Sequence, residues 1–169
     1  MKNFLYILLF LAFVSCKDSD DQGTIPLNPN EPFGARYQVM LNYHIKVIDY
    51  ANGYKSYWVE KRGNQAVVLF TLEPGADRTC CDNGSPFIAF EIDPNQPKFE
   101  YTTPQQLENA KANTGLTNSF AGRQSYGLKD GKVSGVKVAP KEWQITMDIP
   151  QKTNSFYNGM VVKGNFVEI

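Results

Sequence analysis

Apolar side chains occupy alternate positions over residues 37–47, and this period of two restricts the fold more than any other feature of the chain. Successive side chains of a β-strand point to opposite faces, so the alternation predicts one long strand with a single buried face. The predicted buried positions are Tyr37, Val39, Leu41, Tyr43, Ile45 and Val47. The opposite face is mostly polar and includes Met40 and His44.

The residues Ala51-Asn52-Gly53 follow this strand and predict a hairpin turn. A two-residue Asn-Gly loop would set Ile45 opposite Glu60, whereas a three-residue loop ending at a left-handed Gly53 sets Ile45 opposite Val59. We therefore expect the longer loop. Its register also gives the pairs Val47 with Tyr57, Asp49 with Lys55, His44 with Glu60, and Lys46 with Trp58.

Further strands are predicted from apolar or alternating runs bounded by turn residues. They cover residues 66–72, 87–92, 99–102, 133–138, 143–149 and 160–169, with a turn at Gly63-Asn64 and a hairpin at Asp130-Gly131. The run 66–72 is apolar throughout, which is typical of a strand buried on both faces. Seven or eight such strands predict an all-β fold, either an antiparallel β-sandwich or a small barrel, with one peripheral helix.

The peripheral helix is predicted from its start signals. Thr103 suits the N-cap, Pro104 suits the first helical position, and Gln106 completes a capping box. Gly115 is the expected stop, and Leu107 and Ala110 are the expected apolar contacts.

The first fifteen residues have the composition of a signal peptide. Lys2 precedes an apolar run from Phe4 to Val14, which as a helix would be about 16 Å long, roughly half of what a membrane span requires. Val14-Ser15-Cys16 resembles the lipobox of bacterial lipoproteins, whose cysteine is lipidated and becomes the new N-terminus. The resemblance implies that residues 1–15 are removed and that Cys16 carries the lipid. An ordinary secretory signal cleaved near the same place is the alternative.

The segment after Cys16 begins with KDSDDQ. It resembles the acidic export signal of Bacteroidota lipoproteins, which implies an outer-membrane, lipid-anchored protein displayed at the cell surface. Residues 16–35 also contain Pro26, Pro29 and Pro32, whose spacing is the repeat of polyproline II, and they predict an extended tether. Residues 36–169 are then a single β-rich domain.

The charge balance argues against nucleic acid as a partner. The chain has 17 basic and 17 acidic residues, and loss of Lys2 with the signal peptide leaves a net charge of about −1. We therefore expect the lipid anchor to be the contact with the membrane.

Residue types that commonly catalyse reactions are sparse. His44 is the only histidine, and no serine or cysteine nucleophile motif accompanies it. The familiar metal-binding motifs are absent, and Met40 and His44 would lie about 13 Å apart along one strand, too far apart to ligate one haem iron. A haem held by His44 together with Met147 or Met160 is an alternative that no motif supports. We predict no catalytic residue, no metal and no cofactor.

Lipidation of Cys16 would leave Cys80 and Cys81 as the remaining cysteines. In an oxidising envelope these neighbours can form a vicinal disulfide, bond to another molecule, or stay as thiols. A vicinal bond would rigidify residues 77–85.

The tip of the first hairpin is rich in aromatic residues. In the predicted register Tyr50 and Tyr54 are opposite each other, and Trp58 shares their face, away from the core side that takes Tyr57. Such a face can stack on sugar rings or bind a protein, or it can merely hold the hairpin together or be covered by a second sheet.

These features favour a non-catalytic binding module for a glycan or a partner protein, with Tyr50, Tyr54 and Trp58 as the contacts. One alternative is a small envelope carbohydrate-active enzyme that uses two carboxylates, for which Glu91, Asp93 and Glu100 are candidates. Another is a structural or assembly lipoprotein without a small ligand.

Overall fold

A computed structural model describes residues 34–72, 85–118, 122–150 and 160–169. In this part of the chain the elements, in order, are β1 (Ala35–Asp49), β2 (Lys55–Leu72), β3 (Ser85–Ile92), β4 (Lys98–Tyr101), α1 (Pro104–Asn109), β5 (Asn113–Asn118), β6 (Gly122–Gly127), β7 (Lys132–Ala139), β8 (Glu142–Ile149) and β9 (Met160–Glu168). The all-β prediction with one peripheral helix is confirmed, whereas the small barrel that was one of its two forms is not present, because the sheet of the described residues is not closed.

The strands form one open sheet in the order β4-β7-β8-β9-β1-β2-β3-β5-β6. All of its neighbouring pairs are antiparallel except β1 and β9, which run parallel. The described residues therefore hold nine strands rather than seven or eight. The additional strands are β5 and β6, whose glycine, serine and threonine content carries no clear strand signal.

The first hairpin has the predicted register. Ile45 pairs with Val59, and the remaining predicted pairs are also present, including His44 with Glu60 and Lys46 with Trp58. Gly53 has a φ of +78°, the left-handed conformation that the three-residue loop requires. Two backbone hydrogen bonds close the turn, from Tyr50 N–H to Tyr54 O and from Gly53 N–H to Tyr50 O.

The long first strand does not have a single buried face. At Asn42, which has a φ of +62°, one residue of β1 lies opposite residues 62–65 of β2. This bulge reverses the side of the sheet to which the odd-numbered residues point. Val39 and Leu41 therefore pack in one core, whereas Tyr43 and Ile45 pack in another.

The two cores lie on opposite faces of the sheet. The first core is the larger and includes Trp143, Phe166 and Leu107 of α1. We call residues 43–61 the arm. In the second core, the inner face of the arm packs on Val67 and Phe87. Neighbours along residues 66–70 alternate between the two cores, so the predicted burial of this segment on both faces is confirmed.

Two of the predicted turns are wrong. Gly63-Asn64 lies inside β2, within the bulge, so the chain bends there without reversing direction. Asp130-Gly131 does not make a hairpin, because β6 and β7 are not neighbours in the sheet. The chain crosses there from the edge strand β6 to β7, which pairs with β4 and β8.

The start of α1 is as predicted, and its end is not. Thr103 Oγ1 accepts a hydrogen bond from Gln106 N–H, the Gln106 side chain accepts from Thr103 N–H, and Pro104 is in the first turn. The helix ends at Asn109, and Gly115 lies instead in β5. Nowhere in the described ranges does a helix have the length and apolar character that crossing a membrane requires.

Candidate functional site

The arm is fastened to the sheet by a buried carboxylate. Glu91 of β3 is 8% exposed, and its Oε1 accepts hydrogen bonds from Ile45 N–H at 2.6 Å and from Lys111 Nζ at 2.8 Å. Hydrogen bonds to an ionised carboxylate are stronger than those between neutral groups, and the one from Ile45 is also buried. Glu91 therefore holds the β1 side of the arm against β3.

The β2 side of the arm is fastened to β6. Tyr57 N–H donates to the buried Ser125 Oγ at 3.0 Å, and the Tyr57 hydroxyl lies over Gly127, where a side chain on Gly127 would have its Cβ. Burial raises the pKa of Tyr57; the charge of Lys55 opposes this shift, and those of Glu108 and Asp49 add to it. The neutral hydroxyl thus forms part of the contact between the arm and β6.

The outer face of the arm is open to solvent. Tyr50, Tyr54 and Trp58 are 47%, 37% and 44% exposed, so no second sheet covers them in the described part of the structure. Tyr50 and Tyr54 are in ring contact, with centroids 5.7 Å apart. The predicted site residues therefore share one exposed face, at the positions that the register gave them.

Tyr126 of β6 is a fourth member of this face that sequence reasoning missed. Its side chain is 50% exposed, and its ring meets Tyr54 edge to face with centroids 6.4 Å apart. In the sequence Tyr126 is an isolated aromatic residue in a segment of glycine and serine, and only the packing of β6 beside the arm brings it close. We call Tyr50, Tyr54, Trp58 and Tyr126 the aromatic surface.

The aromatic surface has two ends. Trp58 of β2 lies four residues after Tyr54, which directly precedes β2, and four residues of extended chain span about 13 Å. Between them are the buried Ser56 and the partly buried Ile48, which are partners in the register. Three tyrosines therefore form a cluster at the hairpin tip, and Trp58 stands apart from them.

A groove of about 690 Å³ opens beside the tyrosine cluster. Its walls come from the hairpin tip, α1 and the chain between β6 and β7. Tyr54 and Tyr126 belong both to the groove and to the aromatic surface. Its charged lining residues are Lys55, Glu108, Lys111, Lys129 and Asp130.

His44 lies on the outer face of the arm. Its Nε2 is 3.7 Å from Glu60 Oε2, and Glu60 also lies 3.3 Å from Lys46 Nζ. Met147 is buried in the first core, and Met160 packs against that core. Within the described residues, no three histidine, cysteine, aspartate or glutamate side chains lie close enough together to hold a metal ion.

The three carboxylates considered for catalysis lie in separate settings. Glu91 is occupied by the arm and by Lys111. Asp93 accepts a hydrogen bond from Asn95 N–H and shapes the turn before β4, and Glu100 is exposed on the edge strand β4. The groove beside the tyrosines is lined by none of them, and a second, shallower groove near β4 is lined only by Glu100 among the three.

The other residues singled out from the sequence lie outside the described ranges. These are Cys16 with the signal peptide and the tether as far as residue 33, and the adjacent Cys80 and Cys81. The predicted end of the tether at residue 35 is wrong, because Ala35 is buried and begins β1.

No protein-family model, no curated protein and no solved structure matches this chain. The chemistry of the aromatic surface and of the groove is therefore the basis for any function assigned to them.

Proposed function

We propose that this protein is a non-catalytic glycan-binding module that a lipid on Cys16 anchors at the outer surface of the outer membrane. The observation that carries the proposal is the aromatic surface, which consists of three tyrosines in ring contact at the hairpin tip and of Trp58 further along β2, each 37–50% exposed. A contiguous group of exposed rings such as the tyrosine cluster is typical of a binding surface.

The surroundings of the rings favour a glycan over a protein. Lys46, Glu60 and Lys55 are close to the aromatic surface, and five of the thirteen residues that line the adjoining groove are charged. A sugar ring has an apolar face of C–H groups and a rim of hydroxyls, so it can stack on an aromatic ring and donate hydrogen bonds to polar neighbours. Protein hot spots instead cluster in a well-packed centre that excludes water.

The proposal is tested by measuring glycan binding with the mature, lipidated chain in detergent micelles. Calorimetry against a panel of oligosaccharides should find a ligand, and Tyr54→Ala and Trp58→Ala should each weaken its binding about tenfold or more, which corresponds to about 1.4 kcal/mol. Val138→Ala removes an exposed side chain on β7 and is the control that should bind as the unaltered chain does.

Two results would contradict the proposal. One is the absence of binding to every member of the panel. The other is a protein captured from native membranes through Tyr54 and Trp58 while no oligosaccharide competes with it.

A further inference from the structure

We infer that the groove beside the tyrosine cluster is the subsite that selects the glycan, and that it takes an uncharged, hydroxyl-rich part of the ligand. This inference rests on the proposed function. Beyond that function, it specifies the class of sugar that the groove binds and the groove residues that determine this specificity.

The groove and the aromatic surface are continuous. Tyr54 and Tyr126 contact each other edge to face and also line the groove, so a chain stacked on the tyrosine cluster can extend directly into it. With a volume of about 690 Å³, the groove falls within the range typical of small-molecule sites. A ligand that used the aromatic surface alone would leave this space to water.

The charges around the groove nearly cancel: the lining residues and their ion-pair partners together hold three lysines and four carboxylates. Lys55 Nζ lies 3.7 Å from both Asp49 Oδ1 and Glu108 Oε1, which links the hairpin tip to α1. Lys111 Nζ lies 2.8 Å from Glu91 Oε1. The remaining charged lining residues are Lys129 and Asp130, one of each sign.

This near-cancellation determines which ligand the groove can favour. An anionic or cationic sugar would meet only a weak net field, and it would compete with ion pairs that already exist. Hydroxyl groups can instead accept from the lysine ammonium groups and donate to the carboxylates without adding a charge to the groove. The lining is therefore suited to a neutral saccharide with several free hydroxyls.

The inference is tested with three kinds of probe: neutral oligosaccharides such as cello-, xylo-, malto- and manno-oligosaccharides, oligogalacturonates as the acidic class, and chitosan oligomers as the cationic class. We expect the tightest binding among the neutral probes. Its affinity should change less than about twofold between 0.05 and 0.5 M salt, because no net charge is neutralised on binding.

Glu108→Gln in the same lipidated chain gives a sharper test. It removes one negative charge from the groove and leaves Lys55 with one ion-pair partner fewer. Binding of the neutral probe should weaken about tenfold, whereas binding of oligogalacturonate should strengthen and become dependent on salt. Glu142→Gln, an exposed glutamate on β8, is the matched control and should change neither.

The possible failures can be told apart. If a neutral probe binds and Trp58→Ala weakens it but Glu108→Gln does not, the aromatic surface binds glycan and the inference about the groove is wrong. A preference of the unaltered chain for the acidic or the cationic probe would also overturn it. If no probe binds, the proposed function itself fails.

Discussion

Glu168 illustrates what a single side chain contributes to the last strand. Its side chain is 6% exposed, and its carboxylate accepts hydrogen bonds from Lys137 Nζ at 2.6 Å and from the Trp143 indole N–H at 2.8 Å. The same Lys137 Nζ lies 5.5 Å from the centre of the Trp143 ring. Glu168 therefore joins β9 to β7 and β8 at the edge of the first core.

Replacement of this carboxylate by an amide should destabilise the folded state. We expect Glu168→Gln to lower the free energy of unfolding by about 1.5–3 kcal/mol, because two charge-assisted hydrogen bonds are weakened and Lys137 loses its ion pair. Urea denaturation followed by tryptophan fluorescence measures the change. The exposed Glu142→Gln should stay within about 0.5 kcal/mol of the unaltered chain.

The pH dependence of stability should identify the same group. Burial raises the pKa of Glu168, but the hydrogen bonds from Lys137 and Trp143, together with the charges of Lys137 and Lys141, lower it below the usual 4.5. A lowered folded-state pKa gives stability that is present above 4.5 and lost as the pH falls through the folded-state pKa. The stability difference between the unaltered chain and Glu168→Gln should therefore be largest at neutral pH and shrink in acid. A difference that is constant with pH would show that the carboxylate charge is not responsible.

Among the elements, the arm shows how far sequence patterns determine a fold and where they stop. Its internal register was predictable, because only one loop length keeps Ile45 opposite Val59. Its bend was not, because the alternation of apolar residues continues unbroken through Asn42. The alternation predicts that neighbouring side chains point to opposite faces of the strand. It does not predict which of the two cores each face contacts.

The candidate site was likewise predictable from the sequence only in part. Tyr50, Tyr54 and Trp58 lie within one hairpin, so local register was sufficient to place them on one face. Tyr126 depends on β6 packing beside the arm, which is a long-range contact without a local signal. The groove likewise requires α1, the hairpin tip and the chain after β6 to meet in space.

The contact between the arm and β6 predicts a double-mutant result. The Tyr57 hydroxyl occupies the position of a Cβ on Gly127, so Gly127→Ala should lower the free energy of unfolding by about 1–3 kcal/mol. In the Tyr57→Phe background the nearest ring atom is 3.2 Å from that position, and the same change should cost less than 1 kcal/mol. Equal costs in the two backgrounds, measured by urea denaturation, would show that the hydroxyl is not the obstacle.

At the scale of the whole molecule, the proposed lipid on Cys16 determines whether the protein stays at the membrane. We expect Cys16→Ser to prevent lipidation and to move the protein from the membrane fraction to the soluble fraction, because the lipid is the proposed anchor. Cell fractionation with immunoblotting measures the distribution. Cys80→Ser makes the same substitution elsewhere in the chain and should leave the protein with the membranes. An unchanged distribution of Cys16→Ser would contradict the proposed anchor.

The reversal of faces at Asn42 has a consequence for how such a protein can change over evolutionary time. Beyond the bulge the odd-numbered residues of the arm maintain the second core, while Tyr50, Tyr54 and Trp58 on the other side belong to neither core. Selection for a stable fold and selection for the proposed glycan binding would therefore act on different residues of the same two strands. Under that proposal, new binding preferences can arise on the outer row while the inner row stays unchanged.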